Sequence, residues 1–119
     1  METIRTRRMA ELLKHELSKI ISTEVNDPRI HDVVLTRVKV SKDFSIAWVY
    51  YTSYVPESLT GIDIALERST AFIRNRLMKA VHIKKLPKLI FERDTAGDEG
   101  QRIDEIFKQI KEEDEKRQN

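Results

Sequence analysis

A turn built around Asn26-Asp27-Pro28-Arg29 separates two hydrophobic periods, and that change of period limits what the chain can fold into. Before the turn, Met9, Leu12, Leu13, Leu17, Ile20 and Ile21 recur at steps of mostly three and four residues, the stripe of an amphipathic helix. This spacing predicts a helix from about Thr3 to Thr23, ending ahead of Pro28 because proline cannot continue the hydrogen-bond ladder. After the turn, Val34, Thr36, Val38 and Val40 alternate with Leu35, Arg37, Lys39 and Ser41, which predicts a strand over Val33 to Val40 with one wetter face. A second strand from Ile46 to Val55 alternates Ala47, Val49 and Tyr51 with Trp48, Tyr50 and Thr52. Ser41-Lys42-Asp43 is the short hairpin hinge between the two strands. Ala47 and Val49 are expected beneath helices, with Trp48 and Tyr50 on the opposite face of the sheet.

Pro56-Glu57-Ser58 and Gly61 mark a loop and a second helical start. Ile62, Leu66, Ser69, Ile73, Leu77, Ala80 and Val81 then hold one largely apolar line as far as Val81. A helix this long in a small domain is expected to be broken or bent, and its weakest point is Arg68-Ser69-Thr70-Ala71, where two hydroxyls compete for backbone hydrogen bonds. Lys85-Leu86-Pro87 divides it from a third strand, Lys88 to Arg93. A loop from Asp94 to Gly100 leads to a last amphipathic helix from about residue 101, carrying Ile103, Ile106, Phe107 and Ile110. Residues 111–119 contain no apolar side chain and read as a charged flexible tail. The expected architecture is α+β, with a single domain over residues 1–110. Leu17, Val49, Leu66, Ile73 and Phe91 should meet in one core.

The chain has 119 residues, enough for one core, and 35% of them are charged, so its surface is densely ionic. It has no cysteine, which removes disulfides and thiol catalysis and disfavours structural zinc. No apolar run approaches the roughly 20 residues needed to span a bilayer, and the charged N-terminus is unlike a signal peptide. A cytoplasmic monomer with no membrane association is expected. The net charge of +2 is unevenly placed. Residues 67–93 hold eight bases against two acids, a balance of +6, while residues 94–119 hold nine acids against five bases, a balance of −4. A positive field concentrated on one element suits a polyanion.

Within that basic stretch, Arg74, Arg76, Lys79, Lys84 and Lys85 are candidate phosphate contacts, spaced to follow a nucleic-acid backbone. Each could instead solvate a helix face. Trp48 could stack an unpaired base, although cross-strand aromatic pairing beside Arg37 and Lys39 would explain it without any ligand. His15, His31 and His82 stand in separate elements with no ligand-spaced partner, and the acids from Asp94 to Asp104 lack the spacing of a calcium loop, so no metal is expected. No glycine-rich phosphate loop or nucleophile motif is present, so neither an enzyme, a cofactor nor a small-molecule substrate is expected. From the residues alone, two classes stay open: an RNA-binding factor, and a protein-interaction module whose basic helix docks an acidic partner. A DNA-binding helix-turn-helix around Leu66 to Leu77 would need a turn glycine that the sequence lacks.

Several stretches together resemble the ribosome-binding factor A family of bacteria along nearly the whole chain. They are Asp27-Pro28-Arg29, Val40-Ser41-Lys42-Asp43, Ala47-Trp48-Val49-Tyr50, Phe72-Ile73-Arg74, and Pro87-Lys88-Leu89-Ile90-Phe91 followed by Asp94. The resemblance implies a type II KH-like fold, α-β-β-α-kink-α-β, with helices on one face of a three-stranded sheet and the C-terminal helix as an addition. Ordinary KH domains clamp a nucleic-acid backbone with a Gly-x-x-Gly loop between the central helices. The family has an Ala-x-Gly kink there, and this chain has Ser69-Thr70-Ala71, with no glycine. The resemblance further implies binding to the small ribosomal subunit and its rRNA during assembly, a part in rRNA maturation that matters most in the cold, and no catalytic chemistry. Its basic positions fall on Lys42 and Arg74.

Overall fold

The computed structural model describes residues 2–55 and 58–95. Five principal elements follow in the order α1 (Ile4–Thr23), β1 (Val33–Val40), β2 (Ile46–Ser53), α2 (Leu59–Val81) and β3 (Lys88–Arg93), with a 3-10 turn at Pro28–Ile30 between α1 and β1. This is the expected α+β fold. The C-terminal helix from about residue 101 and the tail at 111–119 lie outside the described residues.

Helix α1 begins where its stripe predicts. Thr3 caps it by accepting from the Thr6 backbone N–H at 3.1 Å, and Thr6 Oγ1 accepts in return from the Thr3 N–H at 2.9 Å. This reciprocal pairing satisfies two donors that a bare helix start would leave open. Leu13, Leu17, Ile20 and Ile21 are buried against the sheet and α2. Beyond the helix, Asp27 caps the 3-10 turn by accepting from the Arg29 N–H at 3.0 Å.

The sheet runs in the order β1-β2-β3, with β1 and β2 antiparallel and β2 and β3 parallel. A parallel pair needs a crossover, and α2 supplies it. On β2 the alternation is clean: Ala47, Val49, Tyr51 and Ser53 are buried, while Trp48, Tyr50 and Thr52 are half-buried on the other face. On β1 the expected alternation fails at one point. The register shifts between Leu35 and Arg37, so Thr36 bulges, and Leu35 joins Val40 inside. A bulge adds one residue and reverses the facing of everything beyond it.

Helix α2 runs without interruption from Leu59 to Val81, so of the expected break or bend at Ser69-Thr70 the break does not occur. Thr70 Oγ1 donates to the Leu66 carbonyl at 2.8 Å, so the hydroxyl is satisfied one turn back within the helix. Ile62, Ala65, Leu66, Ile73 and Leu77 form its buried stripe. The helix stops at His82, which takes the left-handed conformation at φ 48°. Of the five residues expected to share the core, Leu17, Val49, Leu66 and Ile73 are fully buried, but Phe91 is only half-buried. It stands on an edge strand, beside a cleft of about 370 Å³ also lined by Tyr51, Asp63, Leu66, Thr70 and Leu89.

Candidate nucleic-acid interface

Two separate surfaces carry the expected site residues. On the first, Arg76 and Lys79 project from the last two turns of α2, and Lys84 and Lys85 from the connection to β3; all four are exposed. Among the described residues none of the four makes an ion pair; the pairs present are Arg7–Glu2, Arg29–Asp27 and Arg93–Asp63. Arg76 also lies over the Phe72 ring at 5.1 Å, which supports its guanidinium on an aromatic face that is itself 38% exposed. Lys79, in the last turn of α2, is favoured there by the helix dipole, while Glu16 and Glu24 line a cleft with Arg76 and Lys79 without forming an ion pair with them.

Arg74 is placed differently. It is half-buried, and its Nη1 and Nη2 donate to the carbonyls of Pro87 and Leu86 at 2.7 and 3.0 Å. The planar fork thus fastens α2 to the segment that enters β3, and the guanidinium is held inside the fold instead of standing out with Arg76 and Lys79.

The second surface is the face of the β1–β2 hairpin turned away from the helices. Lys42 stands exposed on a rigid loop. Asp43 Oδ1 accepts from the hydroxyls of Ser41 and Ser45 at 2.9 and 2.6 Å and from the Ser45 N–H at 3.1 Å, and Phe44 takes the left-handed conformation at φ 61°. The hinge therefore reaches through Ser45, two residues further than the hairpin pattern predicts. These hydrogen bonds, the Ser45 hydroxyl first, hold the Asp43 carboxyl down to a pKa of about 2. Trp48, placed opposite Lys39 in the ladder, lines one cleft with Arg37, Lys39, Ser41 and Lys42. The structure thus brings together Lys42 and Trp48, and adds Arg37 and Lys39 beside them. The guanidinium of Arg37 lies 4.1 Å from the centre of the Tyr50 ring.

A third polar group was not legible in the sequence. Tyr51 Oη donates to Asp63 Oδ1 and Arg93 Nη2 to Asp63 Oδ2, which ties β2 and β3 to α2. Burial, and then the neighbouring Asp63 carboxylate, push the Tyr51 hydroxyl well above its ordinary value, so it stays protonated and serves as a fastening. His15, His31 and His82 are all exposed on separate elements, and among the described residues no group of His, Asp or Glu side chains converges in a way that could hold a metal ion. No helix among the described residues is long and apolar enough to cross a membrane.

Comparison with known proteins gives a single family. The model of ribosome-binding factor A matches residues 5–107. The chain is 39% identical to a ribosome-binding factor A of Halothermothrix orenii over 116 residues, spanning 97% of this chain and 95% of that protein. A crystal structure of ribosome-binding factor A from Thermus thermophilus superposes with a TM-score of 0.65 at 28% identity, covering 74% of this chain and 94% of that one. A homology model of the Thermus thermophilus factor, fitted into a cryo-EM map of a 30S–RbfA complex, superposes with a TM-score of 0.61 at 27% identity, covering 76% of this chain and 96% of that one.

Proposed function

This chain belongs to the ribosome-binding factor A family, and from that premise we propose that it binds the free small ribosomal subunit and assists maturation of the small-subunit rRNA. In this reading the contacts are made to rRNA phosphates by Arg76, Lys79, Lys84 and Lys85, with Lys42 as a separate contact from the hairpin loop. The observation that carries it is that all these cations are exposed and none is engaged in an ion pair among the described residues. Cations without acidic partners are free to displace the counterions condensed on an RNA backbone, which is the main source of affinity for such a surface. The related factor fitted into a 30S complex supports the choice of partner.

The reading treats the protein as a cytoplasmic assembly factor without catalysis, one needed most when cold slows RNA rearrangement. It acts by occupying and bracing rRNA. Arg74 contributes indirectly, by fixing the segment that presents Lys84 and Lys85. The test is sedimentation of a cell lysate through a sucrose gradient. The protein should run with free small subunits and be absent from translating ribosomes. A protein that stays at the top of the gradient, or is spread evenly over polysomes, would overturn the proposal.

A further inference from the structure

We propose that the outer face of the β1–β2 hairpin is a site for an unpaired nucleotide, with the base on the Trp48 ring and the phosphates on Lys39, Lys42 and Arg37. It deepens the RNA-binding reading above and rests on it for the chemistry of the ligand, but it involves a surface apart from the cluster on α2.

Three observations converge there. The first is shape: a cleft of about 660 Å³, within the roughly 300–1,000 Å³ usual for small-ligand sites, is lined by Arg37, Lys39, Ser41, Lys42 and Trp48 together with Glu2, Val38 and Val40. The second is charge. Arg37, Lys39 and Lys42 outnumber the one acid of the lining, Glu2, which is paired with Arg7 at 3.4 Å; Asp43 is ionised, but its Oδ1 is turned to the Ser41 and Ser45 hydroxyls of its own loop. Arg37, Lys39 and Lys42 have no ion-pair partner among the described residues. The third is the ring itself. Trp48 is half-buried on a sheet face, flanked in the ladder by Lys39 on β1 and Ile90 on β3, and it lines the cleft, so part of its side chain is open to a ligand there.

An acidic peptide would answer the charge but not the ring, whereas a nucleotide answers both. The base must be unpaired, because bases stacked within a duplex cannot lie on a side chain projecting from a sheet. The Arg37 guanidinium, 4.1 Å from the centre of the Tyr50 ring, lines the same cleft as Trp48. A strand of RNA crossing the sheet can therefore set its base on Trp48 while the adjoining phosphates meet the cations of β1 and the loop.

Trp48 is the only tryptophan, so its fluorescence reports this site directly. Titrating the full chain with a mixed-sequence single-stranded RNA octamer should quench that emission to saturation, and a blunt RNA duplex of equal length should not. Trp48→Leu should weaken octamer binding, followed by anisotropy of a labelled octamer, about five- to a hundredfold with the salt dependence unchanged. Trp48→Phe should retain most of the affinity. Lys42→Ala should instead lower the slope of log affinity against log salt by about 0.7. Joint replacement of Arg76 and Lys79 by Ala should spare the octamer quench while weakening subunit binding, so the two sites fail separately. No quench at saturating octamer, or an equal quench by duplex, overturns the proposal. Quenching by polyglutamate in place of RNA also overturns it, in favour of an acidic protein partner.

Discussion

Replacing Arg74 with Ala separates a fastening from an RNA contact. The guanidinium makes two charge-assisted hydrogen bonds, to the Pro87 carbonyl at 2.7 Å and the Leu86 carbonyl at 3.0 Å. Both acceptor residues are buried, Leu86 at 4% exposure. A hydrogen bond to a charged group contributes about 1.5–3 kcal/mol, and an acceptor stranded away from water costs about 1–3 kcal/mol. Because Arg74 is half-buried, water can enter beside the truncated side chain and recover part of that loss. The expected destabilisation is about 2–3 kcal/mol. In urea unfolding followed by circular dichroism, this corresponds to a midpoint lower by about 1–2 M with an unchanged slope. Arg74→Lys should fall between Ala and wild type, since an ammonium keeps the charge but not the planar fork that reaches two carbonyls at once. An Arg74→Ala protein within about 0.5 kcal/mol of wild type, yet weak in subunit binding, would refute this reasoning and return Arg74 to the RNA-binding set.

Leu17→Ala should cost about 2–5 kcal/mol, as for any fully buried leucine, whereas Phe91→Ala should cost clearly less than the 3–5 kcal/mol of a buried phenylalanine, because the cleft beside it leaves the ring half-exposed. Equal losses in urea melts would place Phe91 inside the core. The Asp27 carboxyl is held down to about 2 by hydrogen bonds from Arg29, the side-chain contact first. A carboxyl lowered in the folded state contributes stability that is present above its ordinary value near 4 and is lost as pH falls toward 2. Asp27→Asn should therefore flatten the acid limb of the stability profile between about pH 4 and pH 2, read as melting temperature against pH, and an unchanged limb would show that the Arg29 contact does not form in solution.

The elements that sequence period could reveal are those in which one face meets one core. The stripe from Met9 to Ile21 and the alternation of Ala47, Val49 and Tyr51 with Trp48 and Tyr50 lead directly to α1 and β2 as they stand. The bulge at Thr36 leaves no such trace, since Val34, Thr36, Val38 and Val40 alternate perfectly in the sequence, and only pairing with β2 shows that Leu35 turns inward. That α2 continues past Ser69-Thr70 without a break has a related reason. Ser69-Thr70 can break a helix or bond back into it, and packing along Leu66, Ile73 and Leu77 decides for the second.

The candidate site divides in the same way. Charge is local, so Arg76, Lys79, Lys84 and Lys85 could be picked out from the sequence, and they are exposed as expected. The role of Arg74 depends on two carbonyls twelve and thirteen residues away, which no charge pattern encodes. The meeting of Lys42 with Trp48 depends on the hairpin loop, where Asp43 is fixed by two serines, and on the ladder that sets Trp48 opposite Lys39. Lys39-Val40-Ser41-Lys42 contains a basic pair, but only the strand geometry turns it toward the ring.

The central claim is that Arg76, Lys79, Lys84 and Lys85 meet rRNA phosphates, and the salt dependence of binding to purified free small subunits tests it most directly. Affinity should fall steeply as salt rises, and each Ala replacement among these four should reduce the slope of log affinity against log salt by about one unit. Folding stability should barely change, because exposed charges contribute little to it. A variant lacking all four cations that folds normally and binds small subunits with the wild-type affinity and salt slope would contradict the account.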